Sequence, residues 1–114
     1  MAQAQLSEAQ RRARARIAAE LAGIGFVIPG SLVERMTSCG KTGCRCQGDP
    51  PVLHGPYLSW TRAVGGKTVT RKITEDQRQR YQGWFDNARR LRELVTELET
   101  VSMEVLSSAE GWQA

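Results

Sequence analysis

Four metal-ligand side chains fall within one short stretch of this chain, spaced Cys39-x4-Cys44-x-Cys46-x7-His54. The sequence has 3 cysteines and 1 histidine, and all of them lie in this stretch. Three thiolates and one imidazole form a set that zinc accepts tetrahedrally. The intervening residues suit a chelate. Gly40 and Gly43 let the chain turn back on itself. Lys41 and Arg45 lie between the thiols and favour their ionised form. Pro50, Pro51 and Pro56 stiffen the path that carries His54. Two other readings stay open: reduced thiols packed in a loop, or a reactive cysteine with His54 as base. The second lacks support, because no orienting acid beyond Asp49 and no oxyanion loop is evident. The expectation is a structural site, with zinc as the cofactor and no enzyme activity.

The chain has 114 residues, which suits a single domain over 1–114. A core that small gains much from a staple. No run of about 18 apolar residues is present, so no membrane partner is expected. The N-terminal residues lack a signal-peptide pattern, which points to the reducing cytoplasm and argues against disulfides.

Charge is unevenly placed. Residues 1–92 hold 16 basic and 7 acidic side chains, whereas residues 93–114 hold 5 acidic and no basic ones. That distribution suits a body facing a polyanion and a tail that avoids it, although a solvated surface would look the same.

The remaining pattern predicts an α+β fold. Ser7 and Gln10 make a capping box for an N-terminal helix within 1–25, striped by Leu6, Ala13, Ile17, Leu21 and Ile24. Residues 26–56 form an extended segment, with a candidate strand at 31–37, followed by the Cys/His knuckle. Residues 57–73 read as a β-hairpin around Gly65-Gly66, whose glycines supply the positive φ angles of a primed turn. In that register Val64 pairs Lys67, Arg62 pairs Val69, Trp60 pairs Arg71 and Leu58 pairs Ile73. Thr74 and Gln77 cap a long helix over 74–106, with residues 107–114 as a frayed tail. A heptad seam at Tyr81, Trp84, Ala88, Leu91, Val95, Leu98, Ser102 and Val105 runs along it. The two helices are expected to pack antiparallel, with a homodimer through 81–105 covering the rest of the seam.

The segments Pro29-Gly30-Ser31-Leu32, Arg35, Cys39-Gly40-Lys41, Cys44-Arg45-Cys46, His54-Gly55-Pro56-Tyr57, Trp60 and Gly66-Lys67 resemble a family of small uncharacterised prokaryotic proteins, over about residues 26–100. The family has no established activity. Its resemblance implies a DNA-related role near mobile elements and a shared Cys/His pattern. Strand, hairpin and following helix are also similar in arrangement to the arm-type DNA-binding domains of phage integrases, a likeness of fold alone.

Two functions follow. In the first, the chain is a nucleic-acid-binding module, DNA over RNA. Lys41, Arg45, Arg62, Lys67, Arg71, Lys72, Arg78 and Arg80 would contact phosphates, and Thr61, Thr68 and Thr70 would approach base edges. In the second, it is an assembly or adaptor protein that pairs through the long helix and carries a structural metal knuckle.

Overall fold

The computed structural model describes residues 5–112. Its elements in order are α1 (Glu8–Ala22), β1 (Ser31–Thr37), a 3-10 turn (Arg45–Gln47), β2 (His54–Val64), β3 (Lys67–Ile73) and α2 (Glu75–Glu110). The fold is α+β, with an N-terminal helix, a long C-terminal helix and one antiparallel sheet in the order β1-β2-β3. Two compact units divide the chain. One comprises residues 1–27 and 86–114, and the other comprises Ile28–Phe85.

Both helices begin where capping chemistry places them. The Ser7 N–H donates to Gln10 Oε1 at 2.9 Å and the Gln10 N–H donates to Ser7 Oγ at 3.1 Å. Thr74 and Gln77 repeat the arrangement at 2.9 and 3.1 Å for α2. Each box satisfies two backbone donors that a helix start would otherwise leave unpaired. α1 ends against Gly23, close to the sequence expectation.

In the helical unit, α1 and the later part of α2 run antiparallel. Arg16 pairs with Glu97 at 2.7 Å, while Glu20, one turn further along α1, pairs with Arg90 at 2.7 Å. Ile17, Ala88 and Leu94 are its buried side chains. The seam on α2 is shifted from the expected one. Trp84, Ala88, Leu91, Leu98 and Val105 are covered as anticipated. Tyr81 and Val95 are 37% and 43% exposed, and Ser102 is exposed. Leu94, wholly buried, and the half-buried Val101 take the places given to Val95 and Ser102. The reason is continuity. Leu91, Leu94, Leu98, Val101 and Val105 form an unbroken apolar row at alternating spacings of three and four, and the other frame runs into Ser102.

The expected frayed tail is also corrected. The helix continues to Glu110 and closes at Gly111, whose φ is 68°. The Gly111 N–H donates to Ser108 O at 3.4 Å and the Trp112 N–H to Ser107 O at 2.8 Å, the two bonds of a Schellman cap. Residues 113 and 114 lie outside the described residues.

In the second unit the hairpin has the expected register, from Leu58↔Ile73 to Val64↔Lys67. Gly65 and Gly66 have φ of 56° and 81°, as a primed turn requires. β1 pairs with the other edge of β2, from Ser31↔Thr61 to Arg35↔Tyr57. One sheet face therefore carries Leu32, Glu34, Leu58, Trp60, Arg62, Val69, Arg71 and Ile73. The start of α2 lies on that side, with the Phe85 ring edge-on to Trp60 at 6.2 Å. The opposite face carries Val33, Arg35, Tyr57, Ser59, Thr61, Thr68, Thr70 and Lys72. Gly30 leads into β1 with a φ of 91°. A Cβ there would collide with the Thr61 carbonyl oxygen, so the tight entry requires glycine. The Trp60 indole N–H closes this entry by donating to Pro29 O at 2.8 Å.

Candidate metal centre

β2 starts at His54, three residues before the expected strand, and this brings the imidazole to the cysteine loop. Thr37 pairs with His54 after a register shift between Arg35 and Thr37, so the end of β1 and the start of β2 lie side by side. Cys39 lies two residues beyond the end of β1. Cys44 caps the 3-10 turn and Cys46 lies within it. The Gln47 N–H donates to Cys44 O at 2.9 Å, and the Val52 N–H donates to Arg45 O at 2.9 Å, so the turn is tied to the segment that leads into β2. Gly55, next to His54, has a φ of 126°. A Cβ there would lie 2.7 Å from Arg35 O and 3.0 Å from Tyr57 N.

Cys39, Cys44, Cys46 and His54 converge, with their ligand atoms all within 4.8 Å of one another. Cys39 Sγ lies 3.5 Å from Cys46 Sγ, and Cys44 Sγ lies 3.1 Å from His54 Nε2. A disulfide needs about 2.05 Å between sulfurs, so this spacing is not that of a bond. A tetrahedral ion with metal–sulfur distances near 2.3 Å would set its sulfurs about 3.8 Å apart, close to the observed spread. Four donors facing one point, three of them thiols, fit a metal ion.

The electrostatics favour thiolate at Cys46. The Cys39 backbone N–H donates to Cys46 Sγ at 3.2 Å and is the main reason the Cys46 thiol is lowered to about 6, against the opposing effect of burial. The neighbouring Cys39, Cys44 and His54 side chains lower it further. Cys39 moves the other way. The Lys41 backbone N–H lowers it, but the Cys46 and Cys44 thiols and burial together outweigh that bond and raise it. Gln47, which the sequence reading passed over, bridges the site: its Nε2 donates to Cys39 O and lies 3.6 Å from Cys46 Sγ. Adjacency to Cys46 was the only signal that could have revealed it.

The eight basic residues expected on nucleic acid do not share one surface. The Arg62 guanidinium lies 4.4 Å over the Trp60 ring, on the sheet side that faces α2, and its Nη1 is buried without a hydrogen-bond partner. Arg71 is on that side too. Lys72 is on the opposite face, with Nζ 4.9 Å over the Tyr57 ring. Arg78 is paired with Glu75, and the Arg80 guanidinium lies 5.8 Å from the Tyr81 ring. Lys67 is exposed at the hairpin turn, and Lys41 and Arg45 are exposed in the cysteine loop. The open face also gains Arg35, which was not among the expected residues. Only the β1–β2 register, which places it opposite Tyr57, could have shown this.

Fold and site together define a small α+β protein with a Cys3His cluster suited to metal. Residues 4–82 match the family described as Domain of unknown function (DUF6788), and the chain belongs to that family. The match includes α1, the sheet and all four candidate ligands, and stops within the first turns of α2. No curated protein and no solved structure matches the chain. Among the described residues, no helix is long and apolar enough to cross a membrane.

Proposed function

We propose that the chain is a non-enzymatic binding module whose Cys/His cluster holds a structural zinc ion and whose open sheet face binds nucleic acid. The convergence of the four ligand atoms carries the first half. A closed set of three thiolates and one imidazole leaves zinc no open position for substrate, so the ion would supply folding energy rather than chemistry.

For the second half, the support is the composition of the open face. Arg35, Tyr57 and Lys72 flank a row of hydroxyls in which Thr61 Oγ1 and Thr70 Oγ1 lie 3.3 Å apart. Cations beside short polar side chains suit phosphate contact combined with groove contact. The unit Ile28–Phe85 has nine basic and four acidic residues, so it carries +5, and the other unit carries −1, which together give the net +4. A three-stranded sheet presented to the DNA major groove also underlies the likeness to integrase arm-binding domains, and proximity to mobile elements belongs to the same proposal.

The test is fluorescence anisotropy with a labelled DNA duplex over a salt series. Affinity should fall steeply as salt rises, and removal of Lys72 or Arg35 should flatten the slope by about one unit each. Salt-independent binding, or none at low salt, would remove this half and leave the metal half intact.

The second reading is assembly through α2, in a homodimer or as an adaptor. Val95, Met103, Leu106 and Trp112 are 43%, 55%, 39% and 59% exposed, an amount of apolar surface that a partner helix would cover. Light scattering that gives twice the chain mass would favour it.

A further inference from the structure

The sheet unit contains a hollow of about 320 Å³ that neither the metal cluster nor the open sheet face uses. It lies on the other side of the sheet, where Trp60, Tyr81, Trp84 and Phe85 provide ring walls and Arg71 and Gln77 bring the polar atoms. The size is at the lower end of small-molecule sites, about 300–1,000 Å³, and so is the pattern of apolar walls with a few polar groups.

Three features point to the ligand class. The rings are held in place by one another, Trp60 with Phe85 at 6.2 Å and 81°, and Tyr81 with Trp84 at 5.0 Å and 70°. Arg62 covers one face of Trp60, at 4.4 Å, and the walls that line the hollow are fixed rings, against which a planar group packs edge-to-face or offset. Arg71 forms no ion pair among the described residues; Arg35, Arg45, Arg62 and Arg80 of the same unit form none either, but Arg71 is the basic side chain that lines the hollow. Its cross-strand neighbour is Trp60, so its charge is brought to the aromatic wall without a counter-ion. A guanidinium in that position disfavours a cation and favours a carboxylate or phosphate.

We propose that this hollow binds a planar aromatic ring carrying one anionic group, with the ring among Trp60, Tyr81, Trp84 and Phe85 and the anion on Arg71. A free aromatic carboxylic acid and an unstacked nucleotide share that chemistry. The proposal depends on neither the zinc nor the duplex reading.

The test uses the indole N–H signals in proton–nitrogen NMR spectra of the full chain. Trp60 and Trp84 report on the hollow, and Trp112, just beyond the C-terminal end of α2, is the control. The probes are 2-naphthoate against 2-naphthylmethanol, and thymidine 5′-monophosphate against thymidine. At least one anionic probe should shift the Trp60 and Trp84 signals while Trp112 stays fixed, with an affinity about tenfold above its neutral counterpart. Arg71→Gln should abolish that advantage, leave binding of the neutral probe unchanged and keep the overall spectrum. Arg71→Lys should retain part of it. Preference for naphthoate identifies the free acid as the source, and preference for the monophosphate identifies the nucleotide. The proposal is overturned if neither anionic probe shifts these signals, if Trp112 shifts equally, or if Arg71→Gln keeps the advantage.

Discussion

Gly55→Ala perturbs the metal site without touching a ligand. Gly55 follows His54 and has a φ of 126°, a region that side chains avoid. The backbone strain alone costs about 1–3 kcal/mol. The added Cβ would also lie 2.7 Å from Arg35 O and 3.0 Å from Tyr57 N. Both are backbone atoms of the β1–β2 pair, so the clash is relieved only by moving the strand that carries His54. Taking about 3 kcal/mol for the total, zinc affinity should fall about a hundredfold. Gly43→Ala is the internal comparison. Gly43 also has a positive φ, 83°, but a Cβ there meets nothing within 4 Å. It bears only the dihedral penalty, about 1 kcal/mol, and should lose about fivefold. The assay is competition for zinc with a chromophoric chelator at neutral pH. Wild-type affinity in Gly55→Ala, or a greater loss in Gly43→Ala, would refute the link between the β1–β2 register and the placing of His54.

Other outcomes follow from the helices. Leu94→Ala should destabilise the protein by about 2–5 kcal/mol in urea unfolding followed by circular dichroism, whereas Val95→Ala should cost under about 1 kcal/mol, and the reverse order would favour the heptad frame through Val95 and Ser102. Glu20 is held below its usual 4.5, chiefly by the hydrogen bond from Arg90. Because its folded value is the lower one, its contribution is present above 4.5 and is lost as pH falls through the folded value. The stability gap between wild type and Glu20→Gln should therefore close on acidification, and a gap that widens in acid would contradict the sign. Both partners are well exposed, so the effect will be small and weakened by salt.

Much of this arrangement could be read from short-range chemistry. Ser7 with Gln10, Thr74 with Gln77, and Gly65-Gly66 between alternating strands each act within a few residues, so local pattern placed them. The four candidate ligands were also legible, because the chain has no other cysteine or histidine. What was hidden depends on neighbours distant in sequence. Leu94 and Val95 are adjacent and both apolar, and only packing against α1 separates them. The start of β2 at His54 depends on pairing with Thr37, which no hairpin pattern contains. Arg62 and Arg71 looked like phosphate contacts because they are basic, but the sheet turns both toward the side occupied by α2. The last turn of α2 is hidden in the sequence because the Gly111 cap that closes it lies beyond the apolar row.

In the sheet unit, Cys46 is the one buried apolar side chain among the described residues. So little apolar burial makes the metal the main expected source of order there. The most direct test is metal analysis of the purified chain combined with X-ray absorption at the metal edge. About one equivalent of zinc, with a first shell of three sulfurs and one nitrogen, is the expected result. Less than about one-tenth equivalent, or a first shell lacking sulfur, would contradict a metal centre at Cys39, Cys44, Cys46 and His54.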